Sequence, residues 1–326
     1  MKHVVRRRGV IVALGVVASL VIASAATGAG PTYNLKNLKG SITADGSSTV
    51  GPYTQAAAEL FAKAGAKGVR ITVGISGTGG GFQRFCRGET DLSDASRPMK
   101  VSEAQSCKDN NVGSWRWFTV ANDALTVVVN QQNTWATCLT VAELKKIWEP
   151  GSKVDNWKEV RSSFPDEPLK LFGPGTDSGT FEYFTEVING KARASRSDYQ
   201  ASEDDNVLVQ GVSGEKGGMG YFGYSYYIEN QNRLNAVQVR NPKTDQCVSP
   251  GVATVHSGTY KPLSRPLFIY AKGSSFKRAE VQAFLDYIFD NEVKIANRAR
   301  FVSLTKAQLK RGRANFVLAV KAAKKS

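Results

Sequence analysis

Three times along this chain a short run of residues at strand-like spacing gives way to Gly, Ser and Thr, and then to apolar residues three and four positions apart. Ser41 to Ala44 leads into Gly46-Ser47-Ser48-Thr49, after which Ala57, Leu60, Phe61 and Ala64 mark one face of a helix. Val69 to Val73 leads into Ser76-Gly77-Thr78-Gly79-Gly80-Gly81, followed by Phe82, Phe85 and Cys86. Leu169 to Phe172 leads into Gly175-Thr176-Asp177-Ser178-Gly179-Thr180, followed by Phe181, Phe184 and Ile188. Each unit reads as strand, loop and helix, so each loop offers hydroxyls together with the unpaired N–H groups of a helix start. The helix dipole favours negative charge at that point. Three such loops in one chain predict a small tetrahedral oxyanion held between helix N-termini.

Strand and helix signals alternate from about residue 40 to the end, the pattern of an α/β protein. Two uninterrupted apolar runs, Ala124 to Val129 and Pro266 to Ala271, suit strands buried on both faces. They bracket the segment that carries the third loop. A chain that leaves one lobe, builds a second and returns would place them at the hinge, which predicts lobe I over 40–125 and 266–326 and lobe II over 126–265. The aromatic run Tyr221 to Tyr227 reads as a buried strand, and Leu144 to Pro150 as a packed helix. Ser202-Glu203-Asp204-Asp205-Asn206 reads as the cap and first turn of a helix.

The chain has 326 residues, 41% of them hydrophobic, enough for two lobes and a substantial core. Lys2 and Arg6-Arg7-Arg8, an apolar run from Val10 to Ile22 and Ala23-Ser24-Ala25 read as an export signal over 1–25, with a linker over 26–40. No cysteine precedes Cys86, so the cleavage site has none to carry a lipid. Four cysteines in an exported chain favour two disulfides over metal ligation. Proximity pairs Cys86 with Cys107 and leaves Cys138 with Cys247, three connectivities being formally open.

The formal charge of +15 is dispersed except near the C-terminus, where Arg298, Arg300, Lys306, Lys310, Arg311, Arg313, Lys321, Lys324 and Lys325 gather. That distribution argues against a nucleic-acid binder. A solvated basic helix accounts for the cluster, and adhesion to an anionic surface is the functional alternative. The only histidines are His3 and His256, there is no nucleophile elbow, and no Gly-Lys-Ser/Thr follows the Gly-rich loop; a serine hydrolase or a nucleotide loop is therefore disfavoured. Arg97 and Arg196 are the candidate counter-ions for a tetrahedral anion, with a salt bridge to Asp94 or Asp198 as the plainer explanation of each.

Taken with Asp45 to Thr49, Ser76 to Gly80, Ala95 to Pro98, Phe172 to Phe181, Ala201 to Val212 and Pro262 to Tyr270, the chain resembles the phosphate-binding (PstS-type) subunits of bacterial phosphate ABC transporters. The resemblance spans roughly Gly40 to Phe301. It implies a type II periplasmic-binding fold with two α/β lobes joined by two crossover strands, a monomer without cofactor or catalysis, and a membrane permease as partner. It also implies a phosphate site formed by Ser48 and Thr49, by Thr78 with Ser76 as its alternate, and by Ser178, Gly179 and Thr180. Two positions depart from the family pattern. Ser96, before Arg97-Pro98, stands where many members have aspartate, and Pro174 stands where many have arginine. The resemblance then leaves Arg97 or Arg196 as the arginine, and Asp205 or Asp204 as the proton acceptor, with Asp94 and Asp177 next. The rival readings are a receptor for sulfate, molybdate or another oxyanion, a secreted phosphatase, and a surface adhesin.

Overall fold

The computed structural model describes Met1, residues 33–176 and residues 178–325. The expected export signal, the first part of the linker and Asp177 of the third loop lie outside the described residues. In chain order the strands are β1 (Gly40–Gly46), β2 (Val69–Gly74), β3 (Leu92–Ala95), β4 (Trp115–Asn130), β5 (Cys138–Leu139) and β6 (Lys170–Pro174), then β7 (Gln200–Ser202), β8 (Gly218–Gly223), β9 (Leu234–Ala236), β10 (Gln238–Arg240), β11 (Cys247–Val248) and β12 (Ser264–Lys272). The α-helices are α1 (Gly51–Lys63), α2 (Gly77–Cys86), α3 (Val101–Asp109), α4 (Val141–Trp148), α5 (Trp157–Val160) and α6 (Gly179–Phe184), then α7 (Asp205–Gly214), α8 (Tyr224–Glu229), α9 (Val252–His256), α10 (Ala279–Asp290), α11 (Glu292–Arg298) and α12 (Lys306–Ala323).

Nine strands form one sheet in the order β2-β1-β3-β12-β4-β8-β6-β7, with β9 also on β4. At one end β1 runs parallel to β2 and β3; at the other β6 runs parallel to β7 and β8. Both halves are therefore built from strand–helix units, and the joint between them is antiparallel. The first two-thirds of β4 pairs with β12, and its remainder pairs with β8. The two apolar runs thus lie on adjacent central strands but not side by side, Pro266 to Ala271 against the first part of β4 and Ala124 to Val129 mainly against β8, and apart from Pro266 their residues are buried.

Two principal cores flank this joint. One gathers Ile42, Tyr53, Phe61, Phe118, Phe284 and Phe316 around β1, α1, α10 and α12. The other gathers Val127, Leu144, Trp148, Trp157, Phe184 and Tyr221 around β4, α4 and β6. The predicted helix faces point inward except at Ala64, which caps α1 and is exposed: Ala57, Leu60 and Phe61 on α1, Phe82, Phe85 and Cys86 on α2, and Phe181 and Phe184 on α6 are buried. Past α6 the chain widens into a single π turn, Thr185–Asn189, which buries Ile188.

Both expected disulfides are present, Cys86–Cys107 and Cys138–Cys247. One expectation is corrected. The aromatic run is a strand only to Gly223; Tyr224 to Glu229 form α8, and its tyrosines are partly exposed. A short aromatic run fits either period, and here the strand ends at Gly223 opposite Leu125, the first residue of β4 beyond its pairing with β12. Among the described residues no helix is long and apolar enough to cross a membrane.

Candidate functional site

Each of the three loops is shaped by bonds that the chain makes to itself. In the first, the Ser47 hydroxyl accepts the N–H groups of Thr49 and Val50 at 3.2 and 3.4 Å, and Ser47 N–H donates to the Asp94 carbonyl at 2.9 Å. That leaves the Ser48 hydroxyl with no hydrogen bond among the described residues. In the third, the Ser178 hydroxyl caps α6 by accepting from Thr180 and Phe181 at 3.1 and 3.4 Å, so its own hydrogen stays available. Thr180 Oγ1 is likewise unbonded among the described residues. Gly179 opens α6 and has no intrahelical acceptor for its N–H.

The first and third loops touch. A Cβ built on Gly179 would stand 2.4 Å from Thr49 Oγ1, 2.8 Å from Thr49 N and 2.9 Å from Ser48 Oγ, so only glycine permits this approach. Ser48, Thr49, Ser178, Gly179 and Thr180 then line one cleft of about 600 Å³, together with Asp123 and Asp205. A second cleft of about 600 Å³ shares Ser48 and is lined by Ser76, Gly77, Thr78 and Gly79 of the second loop, with Glu182 and Arg193 opposite. Ser48 is where the three loops meet.

In the second loop the hydroxyls that line the cleft are already engaged within the chain. Ser76 gives its N–H and hydroxyl to Asp45 Oδ1 at 3.0 and 2.8 Å, which anchors the second loop to the end of β1. Thr78 Oγ1 lies 3.1 Å from Ser96 Oγ and accepts Ser96 N–H at 3.2 Å, so Ser96 supports the loop from behind. Gly81 lets α2 lie directly on β1, since a Cβ there would meet Gly46 Cα at 2.4 Å.

The two candidate arginines lie outside the lining of both clefts. Arg97 flanks the second loop, but its fork is held by both oxygens of Glu103 at 2.8 and 2.9 Å and it lines neither cleft. Arg196 is buried elsewhere, donating to the carbonyls of Ile147 and Val154 and to Asp198. A guanidinium is expensive to bury, and here it is paired by Asp198 and by one carbonyl in the last turn of α4 and one in the loop after it. The cation at the first loop is instead Arg265 of β12. Its Nη2 donates to Thr49 Oγ1 at 3.0 Å, its Nε faces Asp123 at 3.3 Å, and its fork lies 3.7 Å from the centre of the Tyr183 ring. A signal for it was on the page: the two apolar runs are immediately preceded by opposite charges, Asp123 and Arg265, and buried charges come in pairs.

Three carboxylates near the loops differ in kind. Burial pushes the Asp123 carboxyl up, against the pull of Arg265. Asp205, in the first turn of α7 beside its cap Asp204, is pushed up to about 6 by burial and by Asp204, with Arg300 opposing. Asp94, fully buried beneath α1, is pushed up to about 7 chiefly by burial; Thr54 donates to its Oδ1 at 2.8 Å and its Oδ2 has no partner among the described residues. An acid whose folded value is raised favours the fold most below its unfolded value of 3.8 and loses that contribution as pH rises through 7. Asp94→Asn is therefore expected to flatten the decline in stability over that window, as read by urea unfolding at a series of pH values. An unchanged profile would show that Asp94 titrates normally.

Comparison with known proteins follows the same lines. Residues 25–292 match the PBP superfamily domain. Protein SphX of Synechococcus elongatus is 44% identical over 306 residues, 93% of this chain and 87% of that protein. The phosphate-binding protein PstS of Staphylococcus epidermidis is 36% identical over 294 residues, 90% of this chain and 88% of that protein. A solved structure described as a possible phosphate binding protein from Planctomyces limnophilus is 48% identical with a TM-score of 0.81, covering 87% of this chain and 99% of that one. An ABC-type phosphate transport receptor from Vibrio cholerae, 22% identical with a TM-score of 0.63 over 81% of this chain and all of that one, shares the fold. With the domain match spanning most of its length and these relatives aligned across nearly all of it, the chain belongs to the PBP superfamily, in the company of the SphX and PstS proteins.

Proposed function

We propose that this chain is an exported, non-enzymatic receptor that closes two lobes, 40–125 with 266–326 and 126–265, on inorganic phosphate and delivers it to an ABC permease. The observation that carries the reading is the contact of Gly179 with Ser48 and Thr49, which brings two helix starts and several unspent donors to one point. The relatives named for phosphate support the choice of anion. Closure takes the anion out of water and replaces its hydration with Ser48, Ser178 and Thr180 hydroxyls and the Gly179 N–H at the start of α6. Arg265 and Asp123 form a near-neutral pair behind Thr49, so the bound charge is met mainly by oriented neutral donors. A monomer suffices, since one chain supplies all three loops.

Selectivity is assigned to Asp205, which lines the same cleft as Ser48, Ser178 and Thr180. Phosphate near neutral pH carries a proton that a carboxylate accepts; sulfate has none to give, and would face the carboxylate with an uncompensated repulsion. In titration calorimetry the secreted chain is expected to bind phosphate in preference to sulfate or molybdate. Asp205→Asn is expected to weaken phosphate roughly ten- to a hundredfold, the cost of one lost bond to a charged group, and to relax the exclusion of sulfate. An unchanged phosphate-to-sulfate ratio would remove Asp205 from the site. Tighter binding of sulfate or molybdate by the unmodified chain would replace phosphate as the ligand.

A further inference from the structure

From Val293 to Ser326 the chain carries ten Lys and Arg and no Asp or Glu. Three of the ten are matched by carboxylates on other elements: Arg298 by Glu59, Arg300 by Glu229, and Arg313 by Asp286 and Asp290 of α10. The side chains of Lys306, Lys310, Arg311, Lys321, Lys324 and Lys325 are exposed and make no hydrogen bond or ion pair among the described residues. On a helix turning 100° per residue, Lys310, Arg311, Leu318 and Lys321 fall within a sector of about 100°. The opposite side of α12 is buried through Gly312, Phe316, Ala319 and Val320.

We propose that this face of α12 docks the exported protein on the surface of an anionic phospholipid bilayer. The charge is uncompensated because the nearest carboxylates, Asp286 and Asp290, are already taken by Arg313. A flat array of anionic headgroups engages all of these bases at once, each adding to the attraction. Leu318, 60% exposed within the sector, has a use at a lipid interface and none against a bare polyanion. Neither cleft of the phosphate site is lined by α12, so docking leaves both open. The inference rests on export and is independent of the identity of the anion in the cleft.

Co-sedimentation of the secreted chain with vesicles tests it. The chain is expected to bind phosphatidylcholine vesicles containing one-third phosphatidylglycerol at low salt, to ignore pure phosphatidylcholine, and to detach at about 0.5 M salt, where screening leaves a Debye length of only a few ångströms. A triple variant, Lys310→Glu with Arg311→Glu and Lys321→Glu, is expected to lower vesicle partitioning by at least about tenfold. These side chains have no partners to lose, and circular dichroism with phosphate titration on the same preparation confirms an intact protein. Absence of vesicle binding at low salt, undiminished binding by the triple variant, or binding to a duplex oligonucleotide without binding to vesicles would each overturn the proposal. None of those outcomes touches the phosphate reading, which the titration measures separately.

Discussion

Gly179→Ala is expected to weaken phosphate binding between about fivefold and a hundredfold, from the 1–3 kcal/mol typical of an overpacked contact. The added methyl would stand 2.4 Å from Thr49 Oγ1 and 2.8 Å from Thr49 N. A side chain can rotate away; the backbone nitrogen cannot. The first and third loops must then part, and the donors of α6 move off the point where they converge with Ser48. The substitution should spare the unliganded fold, because Gly179 is the first residue of a helix and alanine is the better helix former. Unfolding without phosphate should therefore be unchanged or slightly shifted toward stability, while calorimetry records the lost affinity and small-angle scattering shows less closure on adding phosphate. Wild-type affinity in this variant would mean that the contact between the loops does not belong to the bound state.

Arg265→Ala is expected to cost about 3–5 kcal/mol of folding stability, the usual penalty for stranding one member of a buried ion pair. Asp123 would keep its buried position without its cation, Thr49 would lose a donor, and the Tyr183 ring would lose the guanidinium over its face. Burial already raises the Asp123 carboxyl, and removing Arg265 raises it further. A raised acid favours the fold at low pH and loses that contribution as pH rises, so the deficit should shrink toward acid pH. Urea unfolding at two pH values reads both effects. Arg265→Met combined with Asp123→Leu should recover much of the stability, since apolar replacement of a buried pair is often neutral, yet should not recover phosphate affinity. A single-variant loss below about 1 kcal/mol would show that the pair is solvated and of little consequence.

These two residues also mark what could be read in the chain and what could not. The three loops were legible because their chemistry is local: glycine, serine and threonine follow a strand, and a helical period begins inside the loop. The two central strands were legible where their apolar runs carry no charge, and the first part of β4, with Arg116, Asn122 and Asp123, was not. Arg265 was legible only through the opposite charge of Asp123 before the other apolar run, and its contact with Thr49, 216 positions away, was not. Arg196 looked available because sequence does not reveal that the Ile147 and Val154 carbonyls need a donor. Tyr226 was read into a strand because aromatic residues suit strands; the helical turn after Gly223 instead puts it on the cleft wall beside Asp205.

The placement of the two disulfides bears on how the molecule can move. Cys86–Cys107 ties α2 to α3 within the half built on β1 and β3, and Cys138–Cys247 ties the small β5-β10-β11 sheet within the other half. Neither crosses the cleft. The covalent stiffening is thus confined to two shells, and the seam between them is held only by the shared strands and by contacts that a ligand can make or release. An oxidising surrounding can harden such a receptor against proteases and heat without adding a single constraint to its opening and closing.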